Sequence, residues 1–115
     1  MIKNETKKKK IVGKTRFCKT ALSQSIGLMF SRKLKDKGLI FVFNKEVMFE
    51  LHMLFVFFPI DVLFLDSRRK VVEIKKNFRP FMFYFPRNRF RYAIELPAGA
   101  VEGSRTRVGD LVSFK

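Results

Sequence analysis

A mostly β fold, a small single-domain barrel or sandwich with one or two short helices, is what this chain predicts, and three observations carry the prediction. After Gly38, short runs rich in Phe, Val, Ile and Leu follow one another, separated by Gly, Pro, Asp and Ser. Only Leu22, Ile26 and Met29 recur at helical spacing, with a further short turn or helix over residues 100–104. The 115 residues fit one domain, which at this length buries roughly two thirds of the surface its unfolded chain exposes.

Taken in order, residues 1–10 are polar, lysine-rich and without period, which predicts a flexible basic arm ahead of a single β domain over residues 11–115. Residues 11–19 set Ile11, Val12 and Phe17 among Lys14, Arg16 and Lys19, a partly exposed first strand. The Thr20 hydroxyl can accept from the free amides of a first helical turn, and the helical spacing follows it. A basic loop over residues 31–37 ends at Gly38, a residue suited to a positive-φ turn. Strands are predicted over residues 39–43, 47–56, 60–65 and 71–75, the last two joined by Asp66-Ser67-Arg68-Arg69 as a hairpin turn. Pro59 has no amide proton and belongs at a strand start or edge. Residues 77–89, with two prolines and alternating Phe and Arg, read as a long surface loop. Residues 91–96 alternate again, Pro97-Ala98-Gly99 stops them, and residues 111–114 form a final strand.

Fifteen Phe, no Trp and 47% hydrophobic residues supply a core and exclude disorder. Charge adds a separate message: 25 Lys and Arg against 10 Asp and Glu leave +15, an excess strongly attracted to polyanions. The longest uncharged stretch of the apolar tract runs only from Leu51 to Ile60, short of the roughly 20 residues a spanning helix needs. With no apolar stretch near the start of the kind a secretory signal carries, and Cys18 as the only cysteine, the expectation is a cytoplasmic protein without a disulfide.

Candidate chemistry is sparse. His52, the only histidine, and Asp61 interrupt the apolar tract of residues 51–66, and Glu50 shares a strand face with His52. These three are the candidate ligand-binding residues; the plainer alternative is a satisfied core histidine and a carboxylate that accepts backbone hydrogen bonds. Metal binding finds too few Cys and His for zinc and no convergent carboxylates for a harder ion, and no cofactor is implied. No Gly-x-Ser-x-Gly elbow, phosphate-binding loop or dinucleotide fingerprint is present. Cys18 beside Lys19 is read as an inert thiol. Residues 1–19 carry eight Lys or Arg, and residues 68–91 carry nine, of which Arg79, Arg87, Arg89 and Arg91 interleave with Phe78, Phe81, Phe83, Tyr84, Phe85 and Phe90. Cations for phosphates and rings for bases are what single-strand binders combine, so Lys7, Lys8, Lys9, Lys10 and these arginines are the candidate nucleic-acid residues. The plainer alternative is a Lys-rich surface adapted to heat, with the aromatics as core anchors.

Gly27-Leu28-Met29-Phe30, Gly38-Leu39-Ile40-Phe41-Val42-Phe43, Phe58-Pro59-Ile60-Asp61-Val62-Leu63-Phe64-Leu65-Asp66, Glu95-Leu96-Pro97-Ala98-Gly99 and Val108-Gly109-Asp110 follow one another here as five blocks. In their order and spacing the chain resembles the family called domain of unknown function 192, over about residues 17–114. The resemblance implies a compact, mostly β domain of bacteria and archaea and no established activity. Family members carry Trp-Met-Lys-Asn-Thr or His-Thr-Phe-Gly-Met-Arg before Pro-x-Asp; here His52 fits the first place, whereas hydrophobic residues 54–58 replace the Lys, Asn or Arg.

Three functions are therefore in play. The first is a non-enzymatic domain that binds a small ligand or protein partner near His52 and Asp61. The second is a nucleic-acid-associated protein using the arm and residues 68–91. The third is a hydrolase or isomerase built on Glu50, His52 and Asp61.

Overall fold

All six residues of Ile60–Leu65 are buried, which no strand at a sheet edge or with one wet face can achieve. The structure, a computed structural model, describes residues 1–18, 35–48, 51–52, 58–79 and 82–115, with residues 51–52 given by their backbone. The strands are β1 (Ile2–Asn4), β2 (Lys9–Val12), β3 (Lys14–Cys18), β4 (Lys37–Val47), β5 (Leu51–His52), β6 (Ile60–Leu65), β7 (Val71–Phe78), β8 (Phe83–Tyr84) and β9 (Phe90–Pro97). A single-turn helix α1 (Ala100–Gly103) and β10 (Val112–Phe114) complete the order.

Strand β6 lies inside a five-stranded sheet of order β3-β4-β9-β6-β7, antiparallel except for the parallel β3–β4 pair. Alternation along β6 sends Ile60, Val62 and Phe64 to one face, where Cys18, Leu39, Phe41, Phe58, Phe78 and Phe90 join them. The Phe64 and Phe90 rings meet edge-on with centroids 4.8 Å apart, a contact that adds about 0.5–1.5 kcal/mol to area burial. Leu63 and Leu65 point the other way, onto Ile2, Val12, Ile40, Ile94, Leu96, Val101 and Phe114. A three-stranded sheet of order β10-β1-β2 covers that second face. The result is an open sandwich, one of the two predicted architectures, and not a closed barrel.

The flexible basic arm is corrected. Residues 2–12 form a β-hairpin in which Ile2 is fully buried and pairs with Phe114, so apolar Ile2, Ile11 and Val12 outweigh the lysines. Asn4, also buried, donates to Thr106 Oγ1 at 3.0 Å and Asp110 Oδ2 at 2.9 Å, and Lys7 Nζ donates to the same Asp110 oxygen at 2.7 Å. The first strand divides at Gly13 into β2 and β3. Gly38 lies inside β4 without a positive φ. Its need for glycine is steric, since a Cβ there would sit 2.5 Å from Ile2 Cδ1 and 3.2 Å from Val12 Cγ2, where the two sheets touch.

Strands over residues 60–65 and 71–75 and the turn between them are observed, with Asp66 Oδ1 accepting from the Arg68 and Lys70 amides at 2.9 and 3.0 Å. Residues 77–89 are not all loop, because β7 runs to Phe78 and β8 follows. The predicted helix after Thr20 and most of the strand over residues 47–56 lie outside the described residues. Among the described residues no helix is long and apolar enough to cross a membrane.

Candidate functional site

Asp61 is positioned by β6 on the face that the N-terminal sheet covers, beside the end of β9 and the start of α1. It is 2% exposed. Its Oδ1 accepts from the Asn77 amide at 2.9 Å, and its Oδ2 from the amides of Gly99 and Val101 at 3.0 and 3.1 Å. Gly99, the N-cap of α1, has no side chain to do this, so a carboxylate from another strand takes the capping role. Asp61 therefore ties β6, β7 and α1 together and faces no open space.

Glu50 lies outside the described residues. The backbone of His52 pairs with Phe83, and Leu51 with Tyr84, in a two-stranded β5–β8 ribbon. Tyr84 packs on Phe64 and Phe78, which places this ribbon over the sheet face opposite Asp61. The thickness of the sheet separates His52 from Asp61.

Sequence reasoning passed over Glu95. On β9 it stands opposite Leu39 of β4 and Val62 of β6 and so shares the Phe64 face. Part of the residue reaches the surface, but Oε1 is shielded from solvent and has no hydrogen-bond partner. Burial pushes its carboxyl up to about 8, so it is largely protonated at neutral pH. The alternation of residues 91–96 gives β9 the look of a strand with a polar outer face on which Glu95 would be wet. Pairing with β4 on one side and β6 on the other makes β9 central instead. Cys18 is buried, and burial raises its thiol, in keeping with an inert cysteine.

The segment between β7 and β9 has the most distinctive surface. Tyr84 stacks on Phe64 with centroids 5.8 Å apart and donates its hydroxyl to Glu73 Oε2. Glu73 Oε1 accepts from the Arg87 amide at 2.9 Å and from the Asn88 amide and side chain at 3.0 and 2.9 Å. Burial opposes the charge on Glu73, yet Tyr84, Asn88 and the Arg87 amide together hold its carboxyl below the usual range. Tyr84 is pushed up to about 12 by burial first and by Glu73 second. Pro86 is buried as well. Around these anchors Met82, Phe83 and Phe85 point outward, 45%, 51% and 67% exposed, beside exposed Arg87 and Arg89. The geometry is a fixed strip of outward rings flanked by guanidinium groups, able to stack on flat partners and to pair with anions.

The other predicted cations fare differently. Arg79 is exposed, whereas Arg91 is half-buried and donates its Nε to the Phe43 carbonyl at 3.0 Å. Lys7 pairs with Asp110, Lys8 lies 3.6 Å from Glu5, and Lys9 and Lys10 are exposed on β2. The N-terminal hairpin packs on the sheet face opposite β8, so the two basic segments do not converge. Among the described residues no three His, Cys, Asp or Glu side chains cluster as a metal site would require.

Residues 2–114 match the family DUF192, described as "Uncharacterized ACR". Similar proteins include a UPF0127 protein of Thermococcus sibiricus, 33% identical over all of this chain and 75% of its own length. Another is a UPF0127 protein of Pyrococcus horikoshii, 32% identical over 99% of this chain and 98% of its own. Two crystal structures share the fold at 25% identity. One, from Sinorhizobium meliloti, is described as a candidate transcription regulator and superposes with a TM-score of 0.81 over 86% of this chain and 79% of that one. The other, a protein of unknown function from Novosphingobium aromaticivorans, gives 0.80 over 87% and 74%.

Proposed function

The chain belongs to the DUF192 family, the one its sequence blocks resemble, and from that premise we propose that it is a binding domain for nucleic acid, held through its cationic exterior. One observation carries the reading: few of the described carboxylates neutralise a cation. Asp36, Glu46, Asp61, Asp66 and Glu73 accept from backbone amides, hydroxyls or a side-chain amide. Among the described residues only Asp110 and Glu5 lie within ion-pair distance of a lysine. The positive charge is thus left facing solvent, where it raises the local concentration of any polyanion. The Sinorhizobium meliloti neighbour, described as a candidate transcription regulator, agrees with this class of partner. A small-ligand pocket between His52 and Asp61 is less well supported, since Asp61 is buried, bonded through both oxygens and on the far side of the sheet.

Fluorescence anisotropy with labelled nucleic acid across a salt series tests the proposal. Binding should tighten steeply as salt is lowered, with log K falling linearly against log salt in proportion to the phosphates contacted. Affinity that is absent at about 50 mM salt, or indifferent to salt, overturns it.

A further inference from the structure

We infer that the strip formed by Phe83, Phe85, Arg87 and Arg89 is a docking surface for single-stranded nucleic acid, with the two phenyl rings as stacking platforms and the two guanidinium groups as phosphate contacts. The inference rests on the nucleic-acid reading above and deepens it by naming the strand type and the contact residues.

Phe83 and Phe85 flank Tyr84, which is turned inward onto Phe64 and Phe78, so alternation sends both of their rings to the outside. Two residues along an extended chain is about 6–7 Å, close enough for neighbouring bases to meet successive rings. Exposing two phenyl groups is unfavourable in isolation, and this chain exposes them at a place it holds rigidly. Glu73 gathers the Tyr84 hydroxyl, the Arg87 and Asn88 amides and the Asn88 side chain on one carboxylate, while Pro86 is buried between Phe85 and Arg87. A strip fixed in this way loses little entropy when a strand lies along it.

Charge complementarity chooses the occupant. Among the described residues Glu73 is the one carboxylate bonded to the strip, and it is buried beneath it, while Arg87 and Arg89 face solvent beside the rings. An acidic protein segment would pair with the guanidinium groups but leave the rings unstacked, whereas each nucleotide presents one flat ring and one negative charge. Bases inside a duplex are already stacked, so the rings favour a single strand.

The test compares an unstructured oligouridylate of about a dozen nucleotides, a DNA duplex of equal length, and phosphatidylcholine vesicles containing phosphatidylserine. The intact protein should bind the single strand more tightly than the duplex and leave the vesicles. Phe85→Ala, at an exposed position that the fold does not need, should weaken single-strand binding by roughly 5- to 100-fold without altering the salt slope. Arg87→Ala combined with Arg89→Ala should lower that slope by about 1.4, the share of two phosphate contacts on a single strand. Unchanged binding in Phe85→Ala, equal affinity for the duplex, or preference for the vesicles overturns the assignment of the strip. If single strand and duplex bind equally with a steep salt dependence, the strip fails while the nucleic-acid reading stands. If neither binds at low salt, both fall together.

Discussion

Glu95 shows how one side chain can be governed by its neighbours in the sheet. A glutamate in the unfolded chain loses its proton near 4.5, whereas in the folded protein it keeps the proton until about 8, because ionising beside Leu39 and Val62 would strand a charge away from water. Between those values the unfolded state has released a proton that the folded state still binds. Stability contributed by the neutral form is therefore complete below about 4.5, declines as pH rises, and is exhausted above about 8. Glu95→Gln keeps the shape and removes the titration. Chemical denaturation followed from pH 5 to pH 9 should show the wild-type protein losing stability relative to the variant, by roughly 2–4 kcal/mol at the alkaline end once partial exposure is allowed for. Parallel curves for the two proteins would mean that Glu95 is ionised and solvated throughout.

Asp61 acts at the scale of elements, since one carboxylate fastens the end of β7 through Asn77 and the start of α1 through Gly99 and Val101. Replacing it by Asn puts an amide donor among amide donors, and we expect a loss of about 2–4 kcal/mol, read as a lower urea midpoint with an unchanged slope. The folded variant should bind nucleic acid as the wild type does; a normal midpoint with lost binding would make Asp61 a ligand contact after all. The strands around it were legible because β6 and β7 combine a short apolar period with turn residues whose side chains bond their own backbone, as Asp66 does. The plainer reading of Asp61, a carboxylate accepting backbone hydrogen bonds, was legible too, but its donors lie 16 to 40 residues away and no local pattern reveals them. The N-terminal hairpin escaped for a related reason: Ile2 is one apolar residue in a lysine-rich stretch, and its partner Phe114 is at the other end of the chain. Gly38 looked like a turn glycine because the approach of Ile2 and Val12 above it is a tertiary fact. Tyr84 and Glu73 could be named from the sequence only as members of an aromatic and basic segment, never as the pair that fixes it.

At the scale of the whole molecule, the two explanations of the +15 charge predict opposite responses to salt. A Lys-rich surface adapted to heat stabilises through networks of ion pairs, which added salt weakens. A surface kept cationic for a polyanion repels itself, and salt, by shortening the range of that repulsion to about 10 Å at 0.1 M, should stabilise the fold. The described residues hold two ion pairs, Lys7 with Asp110 and Lys8 with Glu5, which is too few for a network, and antiparallel pairing sets Lys3 directly across from Lys10. Repulsion should therefore dominate. Calorimetry from about 20 mM to about 300 mM sodium chloride should show Tm rising, by roughly 4 °C for each kcal/mol of repulsion screened in a domain of this size. A short single-stranded oligonucleotide at low salt should raise Tm as well, because a ligand bound only by the folded state stabilises it in proportion to the logarithm of its concentration over Kd. A Tm that falls with sodium chloride would assign the lysines to ion pairing, and the cationic exterior would then be a device for stability with no partner implied.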